Sequence, residues 1–310
     1  MTVEYITNPD IKLIEEIDEE MYRQHSWSRV RQTIEISYEG LDSFTAILAL
    51  DTEKNKSVGL ITLAKDYSVD GGEEDALWYV GSFYVSAEYR LKGIGKELGA
   101  RAMAYVKGTN ATMNGTLELV EQYKASGFPL IRDFKNAFTT IETKNVHLGP
   151  VPEQSGFFVK SFDEVDFKHI EAYDQGISGR NRSKYLNLWM TRPEGGVIKV
   201  AVDGAGQVVG FIVINQQYVN RLIAGPFYAD SVGIAQALLH SALSKFVLTN
   251  YERVIFKFPE PNEGVRKILE TITTEPIQIS ANGLCMFSKK VLPTDPSKIF
   301  GFTETAHSFV

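Results

Sequence analysis

The stretch from Gly81 to Lys96 constrains this chain more than any other, because it joins a strand, a glycine loop and a helix start. Leu77 to Val85 reads Leu-Trp-Tyr-Val-Gly-Ser-Phe-Tyr-Val, an apolar run typical of a buried strand. A short polar loop follows and leads into Gly93-Ile-Gly95. Beyond it, apolar residues recur at helical spacing, namely Ile94, Leu98, Ala102 and Tyr105.

A helix that begins directly after a glycine loop is suited to binding phosphate. Its first backbone amides have no partner within the helix, and the helix dipole adds partial positive charge there. Glycine lets the backbone close around an anion without a Cβ in the way. Arg90, Lys92 and Lys96 add positive charge at the same turn. The alternative interpretation is an ordinary strand-to-helix turn with a basic surface.

The spacing Arg90-x-x-Gly93-x-Gly95 resembles the coenzyme A pyrophosphate loop of the GNAT acetyltransferase superfamily. The resemblance implies transfer of an acetyl group from acetyl-CoA to an amine, by direct attack in a ternary complex. It implies that backbone amides of the fourth strand, at Phe83, Tyr84 and Val85, orient the thioester. The residues implied to hold the pyrophosphate are Arg90, Leu91, Lys92, Gly93, Ile94, Gly95 and Lys96.

A second match to the family is Tyr123-Lys-Ala-Ser-Gly127-Phe128. It resembles the family's Tyr-x-x-x-Gly-Phe segment, which implies that this helix packs beside the thioester. Because a tyrosine hydroxyl can give a proton to a thiolate, Tyr123 is expected to be the general acid for the departing sulfur. The alternative is a core tyrosine on an amphipathic helix. Many members carry Asn seven residues before that Tyr, where this chain has Thr116, so the contact to the pantetheine arm is assigned to the nearby Asn114.

The second half of the chain repeats the first. Gly225-Pro-Phe-Tyr-Ala229 echoes Gly81-Ser-Phe-Tyr-Val85, and each is followed by a glycine helix start. We therefore expect an α/β (α+β) fold of two tandem GNAT-like domains, residues 1–146 and 147–310. Each is expected to be a mostly antiparallel sheet with helices on both faces. The second loop is four residues shorter and carries Asp230, a carboxylate that repels pyrophosphate, so CoA is expected to bind only in the first half.

The acceptor site is less well defined by the sequence. His25 and Trp27 are candidate substrate contacts, or a partly buried aromatic pair. Arg180 and Arg182 are candidates for holding a substrate carboxylate, or structural partners of Asp174 or another acid. The general base is left open, because Tyr79 stands where some members of the family have Glu. The alternatives are water and the three acids Glu73, Glu74 and Asp75.

Composition limits the other classes of function. The 32 basic and 39 acidic side chains give a net charge of −7, which disfavours nucleic acid or an anionic membrane as partner. The single Cys285 and the lack of a secretory signal or a membrane-length apolar run favour a cytoplasmic location. No metal is expected. The acceptor is expected to be a small-molecule amine, with an amino acid and a protein N-terminus or lysine as alternatives. A non-catalytic acyl-CoA sensor, a scaffold and transfer of a longer acyl group remain alternatives, and the oligomeric state is left open.

Overall fold

The computed structural model describes residues 2–25, 32–217 and 220–310. The strands of the first half are β1 (Val3–Thr7), β2 (Ser43–Asp51), β3 (Lys56–Ser68), β4 (Leu77–Val85), β5 (Asn110–Thr116) and β6 (Leu130–Glu142). Its helices are α1 (Ile11–His25), α2 (Thr33–Gly40), α3 (Ile94–Val106) and α4 (Val120–Ala125).

The second half follows the same order, with added short elements. Its strands are β7 (Phe157–Ser161), β8 (Arg180–Asn181), β9 (Val197–Asp203), β10 (Val208–Gln217), β11 (Arg221–Ala229), β12 (Arg253–Pro259), β13 (Ser280–Phe287) and β14 (Ile299–Gly301). Its helices are α5 (Phe167–Ser178), α6 (Ser183–Thr191), α7 (Val232–Leu243) and α8 (Glu263–Glu270). The sequence did not predict β1, β8, α6 or β14.

The strands of both halves join in one sheet, in the order β1-β2-β3-β4-β5-β13-β6-β12-β11-β10-β9-β7. Counted from either end, the sheet has five strands of one half followed by one strand of the other half. In each half the strand before the glycine loop pairs in parallel with the next strand along the chain, β4 with β5 and β11 with β12. The other pairings along this path are antiparallel.

The two halves exchange their last long strands. β13 of the second half lies between β5 and β6, with Phe287 opposite Thr112 of β5. β6 of the first half pairs with β12, with Asn136 opposite Pro259. Because each half completes the other's sheet, the backbone hydrogen bonds at the centre of the molecule belong to both halves.

Helices cover both faces of the sheet, which confirms the expected fold class. Leu60 and Ile61 are neighbours on β3, and the pleat sends them to opposite faces. Leu60 lies in an apolar cluster with Ile14 and Ile17 of α1, and this cluster continues across both halves. Ile61 lies in a separate cluster with Leu98 of α3. None of the helices in the described ranges combines the length and apolar character that a membrane span requires.

The last fifteen residues run back across the sheet. β14 pairs with β11, and the backbone then passes from Phe302 to Val310 over the first half. Phe309 is buried and stacks on Tyr79 of β4, with ring centroids 6.4 Å apart. This final segment, residues 302–310, lies on the same face as α1.

Candidate functional site

A groove opens where β4 and β5 separate. The two strands pair only from Leu77 to Tyr79 of β4, which face residues 110–112 of β5. Beyond that point β5 continues its pairing with β13, and among the described residues no strand pairs with the second half of β4 on that side. Backbone groups along this edge of β4 are therefore available to a ligand that lies between the strands.

An irregularity in β4 sits at the groove. The register with β3 shifts between the pairs Leu60–Tyr84 and Thr62–Gly81, and Ser82 has a φ of 50°. The shift changes which side chains point to which face. Phe83 becomes exposed, while Tyr84 is buried in the cluster on the α1 face. Phe83, Tyr84 and Val85, the residues expected to orient the thioester, lie just past this bulge.

The predicted anion loop lies directly before α3, and its role in binding stays a prediction. Leu91 and Gly93 have φ values of 61° and 84°, so the chain turns through the left-handed region directly before α3. Gly93 occupies the N-cap without a side-chain cap, which leaves the first amides of α3 free of a side-chain partner. The Nε of Arg90 donates a hydrogen bond to the carbonyl oxygen of Val85, at the end of β4, at 3.0 Å. The loop, the helix start and the end of β4 thus form one continuous surface with Lys92 and Lys96.

A buried hydrogen bond fixes the start of this loop. The Tyr89 hydroxyl donates to Oδ2 of Asp51 at 2.7 Å, and this bond, with backbone amides of Glu53 and Lys54, lowers the pKa of Asp51. Lys92 lies over the Tyr89 ring, 5.0 Å from its centroid. The β2–β3 hairpin therefore holds the basic loop in place.

Tyr123 reaches the groove from the opposite wall. Its ring lies so close to Gly115 of β5 that a Cβ there would stand 2.5 Å from the tyrosine Cε2. The side chain is half-buried, so one part packs on the strand and the other stays accessible. This placement is compatible with the predicted general acid, whose role stays a prediction.

Asn114 is engaged with the final segment. Its Nδ2 donates to the carbonyl oxygens of Thr305 and Ser308, at 2.9 and 3.1 Å, and its Oδ1 accepts from Asn136. The predicted contact from Asn114 to pantetheine is therefore in competition with bonds inside the protein, and it stays a prediction.

The α1 face beside Tyr84 holds a cavity of about 510 Å³, which we name the α1 cavity. The residues that line it are Glu16, Glu19, Glu20, Arg23, Lys56, Ala87 and Glu88. The Tyr84 hydroxyl donates to Oε1 of Glu20 at 2.9 Å. Burial, followed by this bond and the charge of Glu20, raises the pKa of Tyr84 to about 12. Sequence reasoning missed Glu20, because nothing in the polar face of α1 distinguishes it from its neighbours.

Arg180 and Arg182 lie in buried ion pairs, the structural alternative that the sequence left open. Arg180 Nε donates to Oδ1 of Asp66 at 2.8 Å, while Arg182 makes two bonds to Asp174 at 2.9 and 2.7 Å. Arg182 also donates to Oγ of Ser308 in the final segment. Their predicted contact with a substrate carboxylate stays a prediction. Trp27 lies outside the described residues, as does the side chain of His25.

The acids considered as general base lie at the far end of β4. Glu73 bonds to Lys65 and Tyr67, and the Asp75 carbonyl accepts from Arg180. Both precede Leu77, whereas the bulge is at Ser82. At about 3.3 Å per strand residue, the strand from Leu77 to Ser82 spans roughly 17 Å. That distance removes Glu73, Glu74 and Asp75 from the reacting end of the groove.

The corresponding groove of the second half is filled by the chain itself. β11 pairs with β12 only through Ala224, and β14 then pairs with Phe227 and Tyr228. A Cβ on Gly225 would stand 2.0 Å from the Phe302 carbonyl oxygen. At the start of α7 the Ser231 side chain already caps the Ile234 amide. Within the described residues, no cluster of histidine, cysteine or carboxylate groups suits a metal ion.

Comparison with known proteins agrees with this architecture. Residues 11–127 match the acetyltransferase (GNAT) family, and residues 170–301 match an acetyltransferase (GNAT) domain. Holothin acyltransferase of Pseudoalteromonas sp. (strain SANK 73390) is 27% identical over 173 residues, which cover 55% of this chain and 54% of that protein. The match thus spans about half the length of that relative.

Two solved structures share the fold over nearly the whole chain. A protein of Pyrococcus horikoshii assigned as an acetyltransferase has a TM-score of 0.70 at 15% identity, over 99% of this chain and 96% of that one. A tandem GNAT protein from the clavulanic acid biosynthesis pathway has a TM-score of 0.64 at 14% identity, over 95% and 100%. With two family matches in series and the matching fold, this chain belongs to the GNAT superfamily of acyl-CoA N-acyltransferases and carries two GNAT domains in tandem.

Proposed function

We propose that the protein transfers an acetyl group from acetyl-CoA to a small-molecule amine, by direct attack in a ternary complex, and binds CoA only in the first half. The observation that carries the proposal is the contrast between the two grooves. In the first half the groove is open and ends at a basic helix start, whereas in the second half β14 fills it. The division into domains at residues 146 and 147 and the cytoplasmic location are part of the same proposal.

The groove fits an extended thioester with a phosphate group at one end. The amides at the start of α3, with Arg90, Lys92 and Lys96, would hold the pyrophosphate. The free edge of β4 at Phe83, past the bulge, would donate a hydrogen bond to the thioester carbonyl and stabilise the negative charge that develops there. Binding both substrates side by side supplies the orientation that the reaction needs.

Tyr123 would provide the proton for the leaving sulfur. The amine nitrogen forms the new bond to carbon, the carbon–sulfur bond breaks, and the electron pair leaves on sulfur. The departing thiolate, whose thiol has a pKa of about 8.5, can take a proton from a tyrosine hydroxyl within a dry site. The half-buried position of Tyr123 against Gly115 supports this role.

Two measurements test the proposal. Titration calorimetry with acetyl-CoA is expected to give one site per chain. A panel of primary amines is then incubated with protein and acetyl-CoA while release of the CoA thiol is followed. Binding without thiol release by any amine would favour an acyl-CoA sensor, and two equivalent sites would contradict the assignment of CoA to the first half.

A further inference from the structure

We infer that Glu20 is the general base that removes a proton from the acceptor amine, an inference that rests on the proposed function. The two faces of the sheet limit the direction from which the amine can attack. The thioester in the groove would lie within the plane of the sheet, where α3 covers one face and α1 the other. An amine therefore has to approach from an uncovered part of one of these faces.

On the α1 face, the final segment closes the middle of β4. A Cβ on Gly81 would stand 2.5 Å from the Ala306 carbonyl oxygen, so no acceptor fits between them. The face opens again three residues further on, beside Tyr84, where the α1 cavity lies. Ala87 and Glu88 line both this cavity and the turn that leads to the anion loop. The α1 cavity is thus connected to β4 by the hydrogen bond between its lining residue Glu20 and the Tyr84 hydroxyl.

Glu20 is the carboxylate of this cavity that is tied to β4. Its Oε1 accepts from the Tyr84 hydroxyl, so it stands one tyrosine side chain away from the strand that orients the thioester. Its Oε2 lies 3.8 Å from Nζ of Lys56, and its side chain is 20% exposed to solvent. The bond to Tyr84 holds the group in place, and the exposure lets it meet an acceptor and return the proton to water.

The buried His307 is a less suitable base, although it lies on the same face. Its Nε2 is 2.8 Å from Oγ1 of Thr62, and its side chain is fully buried between Phe44 and the sheet. An acceptor amine cannot reach this imidazole unless the final segment moves. Glu20 needs no such movement, because it already lines a cavity.

Each proton that moves in the reaction has a donor and an acceptor. The Glu20 carboxylate takes one proton from the acceptor ammonium and passes it to solvent through the cavity. The neutral amine forms the carbon–nitrogen bond, and the proton that nitrogen then loses replaces the one that Tyr123 gives to sulfur. The products are the acetylated amine, the CoA thiol and one proton, and no other reactant is needed.

The test is Glu20→Gln, which keeps an oxygen that accepts from Tyr84 but removes the base. The assay follows CoA thiol release with the primary amine that the wild-type protein uses best from a panel of 1,4-diaminobutane, ethanolamine, lysine and glycine amide. We expect kcat/KM to fall about 10²- to 10⁴-fold at neutral pH with unchanged acetyl-CoA affinity. The deficit should shrink towards pH 10, where solution supplies the neutral amine, whose pKa is about 10.4 if it resembles lysine.

Controls separate this role from a structural one. Glu15→Gln changes an exposed carboxylate of the same helix and should behave as wild type. A Glu20→Gln deficit that is equal at every pH, or that comes with weaker acetyl-CoA binding, overturns the inference. So does a near wild-type rate, or a pH-dependent loss in His307→Gln instead. If the wild-type protein releases no thiol with any amine, that result contradicts the proposed function and, with it, this inference.

Discussion

Gly81 of β4 and Ala306 of the final segment are in direct contact, since a Cβ on Gly81 would stand 2.5 Å from the Ala306 carbonyl oxygen. The contact joins the strand that carries the candidate site to residues more than two hundred positions later in the chain. It explains why glycine stands at this position, and it makes the end of the second half a wall of the first half's site.

Gly81→Ala is expected to displace the final segment, because the contact is with backbone and not with a flexible side chain. Overpacking of this kind lowers the free energy of unfolding by about 1–3 kcal/mol. Urea denaturation measures the change. Gly99→Ala is the control, since a Cβ at Gly99 of α3 meets no atom within 4 Å and alanine in a helix is favoured by about 0.5–1 kcal/mol. Equal stability of the two variants would contradict the contact.

Gly93→Asp is expected to weaken acetyl-CoA binding at least about tenfold. Aspartate and asparagine both tolerate the left-handed conformation at this position, and a carboxylate at the start of α3 repels the pyrophosphate. Calorimetry measures the affinity. Gly93→Asn tests the charge separately, because asparagine tolerates the left-handed conformation and is uncharged. If the two variants bind alike, the charge of the loop has no part in binding.

Tyr123→Phe is expected to lower kcat about 10²- to 10⁴-fold with little change in acetyl-CoA affinity, because it removes the proton donor and keeps the ring against Gly115. Steady-state kinetics and calorimetry measure the two quantities. A near wild-type kcat, with chemistry shown to limit the rate, would leave Tyr123 as a packing residue.

Arg180→Met is expected to lower the free energy of unfolding by about 3–5 kcal/mol, because it leaves the buried Asp66 without its cation. The double variant Asp66→Asn/Arg180→Met should recover much of this loss, since neither member is then charged. Denaturant unfolding measures all three proteins. If Arg180→Met is instead stable and only raises KM for the acceptor, the substrate-binding role predicted from sequence holds.

Asp66 should also give stability a measurable pH dependence. Burial, opposed by the charge of Arg180, raises the pKa of Asp66 to about 6, above about 3.9 in the unfolded chain. The folded state therefore binds the proton more tightly. The contribution of this carboxyl to stability is fully present below about pH 4 and is lost as pH rises through 6, by roughly 3 kcal/mol in total.

The measurement is the difference in unfolding free energy between wild type and Asp66→Asn from pH 4 to pH 7. Asparagine does not titrate, so the difference should change in favour of the variant as pH rises. A constant difference over this range would show that Asp66 keeps its ordinary pKa in the folded protein.

Local sequence patterns were sufficient to predict the strand and the helix around the candidate site. The strand from Leu77 to Val85 has the predicted bounds, and the helix after Gly93 begins where the glycine loop predicts. These elements depend on the alternation of apolar residues and on glycine at a left-handed turn, which are properties of neighbouring residues. The repeat of the pattern in the second half was likewise sufficient to predict tandem domains.

Only the tertiary structure determined how the two halves combine. The pairing of Asn136 with Pro259 joins residues far apart in the chain, and no local pattern specifies that β6 and β13 change places. The same holds for the last segment, since the sequence does not show that Ala306 lies over Gly81. The roles of Arg180 and Glu20 follow from their spatial neighbours, Asp66 and Tyr84. The sequence by itself determined the elements and the glycine loop before α3, because these depend on local backbone preferences. The groove, its walls and its charge partners depend on long-range packing.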